Sequence, residues 1–305
     1  MFQDGNLFDL HFSFWRGRKG LKAEDVGLEE KNIPEIVILG QKMLIPEEEQ
    51  RKFRAIESKI RSQVEALTFK FPIGVTARFV PFKVLARVIE IAKAGEIEFS
   101  AIVENFLADY DRIRAEMLEK YPELRTALEP HYPDKSTLRS KYAFTWHIYQ
   151  ITTGQMGDAV ACPEAVAEEY KKFQQKLQVE MDRFLEEVVI DLRGQVVATC
   201  QSLADKIGKG EIVRENTIQS VRSMVDKFQI LNFVGDQKIE DALANLRKHM
   251  NGTKSADLKG DDQLRQELGR LAQEVAKTAS DLSDVTTVAG RYKRKIHVAD
   301  PGQEN

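Results

Sequence analysis

"PEAVAEEYKKFQQKLQVEMDRFLEEVVIDLRGQVVATCQSLADKI", residues 163–207, decides the fold. Its apolar positions are Val166, Tyr170, Phe173, Leu177, Met181, Phe184, Val188, Leu192, Val196, Cys200, Leu203 and Ile207. They advance 41 residues in eleven steps, a mean spacing of about 3.7 that keeps them on one side of an α-helix. Proline at 163 suits a helix start, and "GKG" at 208–210 ends the run. The stretch therefore predicts one helix of about 45 residues, roughly 67 Å long at 1.5 Å per residue. The spacing exceeds the 3.5 that imposes a left-handed supercoil, so a nearly straight helix is expected, weakened at Gly194 by about 1 kcal/mol.

Downstream the pattern stays helical. Ile218, Val221, Met224, Val225 and Phe228 mark a helix over about 214–232, and Ile239, Leu243, Leu246 and Met250 another over 236–250. After the polar "NGTKSADLKGDD", residues Leu264, Leu268, Leu271, Val275, Thr278, Leu282 and Val285 alternate four and three, a heptad seam. A seam that narrow needs a partner. It is expected to lie along the long helix as an antiparallel hairpin, or against another subunit, which makes the chain a candidate homo-oligomer. The end, residues 291–305, reads as a basic and then polar disordered tail.

Upstream the pattern changes. Phe8, Leu10, Phe12 and Phe14 alternate with Asp9, His11, Ser13 and Trp15, as in a half-buried strand, and "AFTWHIYQIT" at 143–152 repeats that pattern. Each strand buries one face only, so the two are expected to pair in a small antiparallel sheet. "PEIVILG" and "GVTARFVPF" are further extended candidates. Pro46 with Glu47, Glu48 and Glu49 opens a helix whose inner face is Phe53, Ile56, Ile60, Val64 and Leu67. Two more helices are expected over 81–94 and 97–121, and "PHYPDKS" reads as a loop. The fold class is mainly α with a small antiparallel β-sheet. An α+β domain over 1–155 precedes an extended helical region over 163–290, a long-helix bundle or hairpin.

The chain has 305 residues, 42% hydrophobic and 30% charged, with a net charge of −3. That charge gives no global attraction to nucleic acid or anionic membrane, so such binding would need local patches. Cys162 and Cys200 alone make no disulfide framework, and no run approaches the ~20 apolar residues of a spanning helix. The N-terminus carries acids where a secretion signal has lysines, so a cytoplasmic protein is expected.

Catalytic signatures are missing. There is no GxxxxGK[ST], no GxGxxG, no HExxH and no pair of CxxC motifs. No catalytic residue, cofactor or metal is assigned, and a non-enzymatic protein is expected. His11 and His147 fall on the two paired strands, where a satisfied or exposed pair is the simpler reading than a shared metal. Cys200 lies on the apolar stripe and reads as packing. Asp109 and Asp111 are two apart on a helix, poor geometry for a joint metal site.

Two basic clusters remain. "FWRGRKGLK" supplies Arg16, Arg18, Lys19 and Lys22; "GRYKRKIHV" supplies Arg291, Lys293, Arg294 and Lys295 beside Tyr292. Basic residues interleaved with aromatics suit nucleic acid. In the first cluster, however, the aromatics alternate as core residues do and "AEDVGLEEK" follows with acids, which favours a solvated turn.

The segments "FSFWRGRKGLKAEDVGL", "LGQKMLIPEEEQRKFRAIESKIRSQ", "FVPF" and "YAFTWHIYQI" resemble an uncharacterised domain-of-unknown-function family of bacteriophages and integrative elements. The resemblance covers chiefly residues 8–155 and brings no catalytic motif. It implies a bacterial host cell and gene neighbours of two kinds, a MoxR-type AAA ATPase and a von Willebrand A protein, both cobalt-chelatase-like. The function expected is a helical accessory or adaptor protein working with the ATPase. The alternatives are a nucleic-acid-binding helper in recombination or replication, and a phage structural or assembly protein.

Overall fold

A computed structural model describes residues 4–26, 40–72, 76–150 and 164–298. The strands are β1 (Gly5–Ser13), β2 (Arg18–Gly20), β3 (Gln41–Met43), β4 (Phe69–Lys70), β5 (Arg78–Pro81) and β6 (Ala143–Tyr149). The helices are α1 (Glu47–Glu65), α2 (Phe82–Lys120), α3 (Arg125–Leu128), α4 (Lys135–Arg139) and α5 (Glu164–Gly208). They continue with α6 (Glu215–Leu231), α7 (Gln237–Met250), α8 (Asp257–Gly260), α9 (Asp262–Ser280) and α10 (Val285–Val298). One small antiparallel sheet has the order β4-β5-β1-β6, and β2 pairs with β3 separately. The fold is mainly helical: a region with the small sheet and helices α1 to α4 comes first, and a run of helices from α5 to α10 follows, as the periodicities predict.

Residues Phe8–Leu67 and Ala86–Ile148 form one compact unit; Met1–Leu7, Thr68–Leu85 and Tyr149–Asn305 form the other. Two short segments before residue 86 thus belong with the long helices.

In the first unit, β1 buries Phe8, Leu10 and Phe12 on its inner side, and β6 stands beside it. Phe12 meets Phe144 at 4.5 Å between ring centroids, and Phe8 stacks on Trp146 at 6.0 Å. Helix α1 turns Phe53, Ile56, Ile60 and Val64 inward. Phe53 is the hub, touching Phe14, Phe99, Phe106 and Tyr142 at ring separations of 5.0–6.2 Å. The two helices expected over 81–94 and 97–121 are one, α2, with no break at residues 95 and 96. Gly95 explains the continuity: it is a contact residue and not a stop. A Cβ added there would lie 2.4 Å from Ile60 Cδ1, so the missing side chain is what lets α1 approach α2.

In the second unit, α5 spans 45 residues, the length read from its spacing. It buries Met181, Phe184, Leu185, Val188, Val189, Leu192, Val196, Cys200 and Leu203. Helix α9 packs along it. Gly269 meets Ile207, whereas Asp281, just past α9, meets Arg193, so the two helices run antiparallel. The seam is therefore buried within the chain. It is also wider than a heptad: Gly269, Ala272, Ala276 and Ala279 are buried beside Leu268, Leu271 and Val275. The final helix does not run through to Val285 as expected. It ends at Ser280, and Val285 opens α10. The segment expected to be a tail from residue 291 is helical as far as Val298, and "PEIVILG" falls almost wholly outside the described residues. Strands β4 and β5 join this unit through an aromatic cluster, in which Phe69, Phe79 and Tyr292 all contact Phe233.

The turn from β1 to β2 depends on Gly17, at φ +57°, where a Cβ would lie 2.5 Å from Ile45 Cγ1. Gly17→Ala should lower stability by about 2 kcal/mol, from left-handed strain together with overpacking. Urea unfolding measures it. Gly20→Ala at the end of β2, with nothing within 4 Å of the new Cβ, serves as the near-neutral control.

Candidate interaction surface: a basic ribbon

After β1 the chain turns at Gly17, whose carbonyl accepts a hydrogen bond from the Leu44 N–H at 2.7 Å. That bond sets the start of the β2–β3 ribbon, in which Arg18 faces Met43, Lys19 faces Lys42 and Gly20 faces Gln41. Arg16, Arg18, Lys19 and Lys22 are all exposed. Arg18 Nε donates to Gln50 Oε1 at 3.1 Å, which ties the ribbon to the first turn of α1. Lys42 is the buried cation. Its Nζ donates to Asp25 Oδ2 at 2.7 Å and to the Ala127 carbonyl at 2.8 Å.

The electrostatics agree with that geometry. The Lys42 ammonium beside Asp25 holds its carboxyl below the ordinary aspartate value. His131, in the 3-10 turn after α3, is pushed below the ordinary histidine value, first by burial and then by Lys42 and Lys19. Lys42, Lys19 and Lys22 all disfavour the imidazolium at His131, and of the described carboxylates nearby Asp25 pairs with Lys42 and Glu24 with Lys22 at 3.1 Å. Arg16 and Lys19 form no ion pair among the described residues. Both are exposed, Arg16 just before the turn and Lys19 on the ribbon.

The neighbouring aromatics are not free platforms. Phe14 stacks on Phe53 at 5.8 Å, and Trp15 sets its ring against Tyr110 at 6.1 Å. The second basic cluster has a different setting. Arg291 is exposed on α10, but Tyr292 is buried against Phe233 at 5.4 Å. The side chains of Lys293, Arg294 and Lys295 lie outside the described residues. The seam residues also part company: Leu268, Leu271, Val275 and Val285 are buried, Leu264 is half-buried and Leu282 is 48% exposed.

The groups considered for chemistry lie in separate places. Cys200 is buried, and burial pushes its thiol up to about 12. Cys162 lies outside the described residues. His11 and His147 are exposed. Asp109 pairs with Arg112 at 3.0 Å and Asp111 with Lys135 at 3.9 Å, the solvated face that their spacing indicates. Among the described residues no three His, Cys, Asp or Glu side chains gather as metal ligands, and no helix is long and apolar enough to cross a membrane. A surface depression of about 360 Å³ lies between α2 and α4, where Glu104 and Arg139 are themselves an ion pair.

Sequence reasoning missed one arrangement altogether. Arg193 on α5 is fully buried. Its Nε and Nη2 donate to the two oxygens of Asp236 at 2.7 and 3.1 Å. Its Nη1 donates to Asp284 Oδ1 at 2.7 Å and to the Asp281 carbonyl. Lys238 Nζ bridges Asp281 and Asp284 at 3.1 and 3.7 Å. Burial alone would disfavour the guanidinium charge, but the hydrogen bonds to Asp236 and Asp284 outweigh it and hold the pKa well above its ordinary value. The signal was present: Arg193 follows Leu185 and Val189 at spacings of four, on a side of α5 that is otherwise apolar.

A family model described as "Protein of unknown function (DUF3150)" matches residues 3–262. The chain belongs to the DUF3150 family. The match takes in the ribbon, the sheet and α5 to α7. No curated protein and no solved structure matches the chain.

Arg193→Met would leave Asp236 buried without its counter-ion and should destabilise the protein by about 3–5 kcal/mol, read by urea unfolding. The acid response follows from the same network. Asp284 is held below the ordinary 3.8 by Arg193, and Asp281 by Ser283 and then Lys238. For carboxylates depressed in this way the added stability is complete above the unfolded-state value and is lost as pH falls through the lower folded value. The unfolding midpoint of the parent should therefore fall more steeply below pH 3.8 than that of Asp284→Asn.

Proposed function

We propose that the protein is a non-enzymatic adaptor of phage or mobile-element origin, and that it docks an acidic surface of a protein partner on the β2–β3 ribbon. The observation that carries this reading is the pair Arg16 and Lys19: exposed, without ion pairs among the described residues, the first just before the Gly17 turn and the second on a ribbon that Lys42–Asp25 and Arg18–Gln50 hold in place. Fixed outward charges of one sign steer encounter and select an oppositely charged partner. The groups that could otherwise do chemistry support the same reading, since Cys200 is a buried thiol and Arg193 is closed into its carboxylates. A MoxR-type AAA ATPase, the neighbour implied by the resemblance, is the partner to test, with the von Willebrand A protein beside it.

Phosphates could use the same cations. Base stacking is less available, because Phe14 and Trp15 already pack on Phe53 and Tyr110. The variant R16E/K19E should weaken capture of the co-encoded ATPase about tenfold, ~1.4 kcal/mol, while the thermal midpoint stays unchanged. An anisotropy titration with duplex and single-stranded DNA at about 50 mM salt gives the opposing outcome. DNA affinity that falls steeply with salt and vanishes in R16E/K19E, with no ATPase capture by the parent, replaces the adaptor reading with the nucleic-acid one.

A further inference from the structure

Asparagine is followed by glycine once in the chain, at Asn251 and Gly252, just past the end of α7. The Thr253 N–H donates to the Met250 carbonyl at 3.2 Å and closes a four-residue turn around the pair. Asn251 has φ −65° and ψ 121°, and Gly252 has φ +80°, the backbone of a type II turn with glycine where the positive φ falls. Both residues are exposed, and a Cβ added at Gly252 would meet nothing within 4 Å. Neither the Asn251 side chain nor the Gly252 N–H makes a hydrogen bond among the described residues.

Arg222, on α6, brackets the same turn. Its Nη2 donates to the Met250 carbonyl and to the Thr253 carbonyl, each at 2.7 Å. At ψ 121° the Gly252 nitrogen is turned away from the Asn251 side chain. Bringing that nitrogen onto Cγ means rotating the 251–252 peptide about the Asn251 Cα–C bond, which separates the carbonyls that Arg222 holds together. The turn has to open first, at the cost of the Thr253 bond and of two bonds from a charged donor.

We propose that Asn251 is a site of spontaneous deamidation to isoaspartate, with water as co-reactant and Arg222 as the latch that sets the rate. The Gly252 backbone nitrogen gives its proton to solvent base and attacks Asn251 Cγ. The N–Cγ bond forms, the Cγ–Nδ2 bond breaks, and Nδ2 takes up a proton and leaves as ammonia. Water then adds to one carbonyl carbon of the five-membered imide and breaks its bond to the Gly252 nitrogen. Opening at Cγ gives aspartate. Opening at the backbone carbon gives isoaspartate, in which the chain runs through Cβ. Nothing is oxidised or reduced. Glycine suits the attack because it has no side chain to obstruct its nitrogen. The isoaspartyl product has one more backbone atom between Met250 and Thr253, so their carbonyls no longer meet a single guanidinium nitrogen. It also sets a carboxylate just past the C-terminus of α7, where the helix dipole disfavours negative charge. Conversion thus leaves open the turn that had delayed it.

Storage of the full chain in mildly alkaline buffer made with heavy-oxygen water tests this, because the label records conversion during storage and not during digestion. The tryptic peptide "HMNGTK", 249–254, should acquire a labelled carboxyl, mostly as the isoaspartyl form. Asn105, Asn216 and Asn245 are also exposed but lie inside α2, α6 and α7, and they serve as internal references. Asn251 should convert at least about tenfold faster than any of them, and at least about tenfold slower than Asn251 in the synthetic peptide, which has no latch. R222M should bring the rate in the chain up about tenfold, with circular dichroism checking that it folds. Should R222M fail to fold, the ratio of peptide to chain decides alone. Conversion at Asn251 no faster than at the three helical asparagines overturns the proposal. So does a parent chain that converts as fast as the peptide, or a folded R222M that converts no faster than the parent.

Discussion

Arg193 brings a full positive charge to a place water does not reach, and the helical unit is arranged around the groups that answer it. Asp236 comes from the turn between α6 and α7, Asp284 and the Asp281 carbonyl from the turn between α9 and α10, and the arginine itself from the middle of α5. A buried guanidinium with a single partner would be a severe liability; one met by a two-pronged carboxylate, a second carboxylate and a carbonyl is tolerated because its donors are paired in directions the fork already fixes. The network fixes register more than it adds stability. An α9 slid by one turn along α5 would still bury leucines and alanines, but it would carry Asp281 and Asp284 away from the arginine.

The same demand accounts for the break after Ser280. A heptad pattern that continues through Leu282 to Val285 gives α9 no apolar reason to stop. The stop comes from polar groups: the Asp281 side chain accepts from the N–H and hydroxyl of Ser283 at 3.0 and 2.6 Å, and the turn so formed delivers both its carbonyl and Asp284 to Arg193. Leu282 is left in solvent as a consequence. Asn232 completes the arrangement from α6's end. Its side-chain oxygen accepts the Asp236 N–H at 2.8 Å and its amide donates to Glu240 at 3.1 Å, so the aspartate that grips the arginine is itself held in place.

What could be read from the sequence was whatever repeats. The period of α5, the alternation of β1 and β6 and the inner face of α1 each depend on one side of one element, and all three stand in the structure with nearly the expected bounds. What could not be read depends on a neighbour far along the chain. Gly95 looks like a helix boundary until Ile60 is placed against it, and Leu282 looks like a core residue until Arg193 is. Lys42 looks like one more surface lysine until Asp25 and Ala127 close over it. The basic turn at 16–22 was legible as a charged turn. Its division into tied and free cations was not, because Gln50, Asp25 and His131 reach it from three other segments.

That division also explains how, in a chain with a net charge of −3, Arg16 and Lys19 are exposed without an ion pair among the described residues. Acids directly follow the turn, and an average over the segment comes out nearly neutral. Geometry does not average. Asp25 is directed into the protein toward Lys42, and Glu24 is held by Lys22. Asp25 and Glu24 are thus used where they stand, and Arg16 and Lys19 have no ion pair among the described residues. Charge composition predicts the behaviour of a surface only when the charges are free to mix, and a two-stranded ribbon pinned at Gly17, Arg18 and Lys42 prevents it.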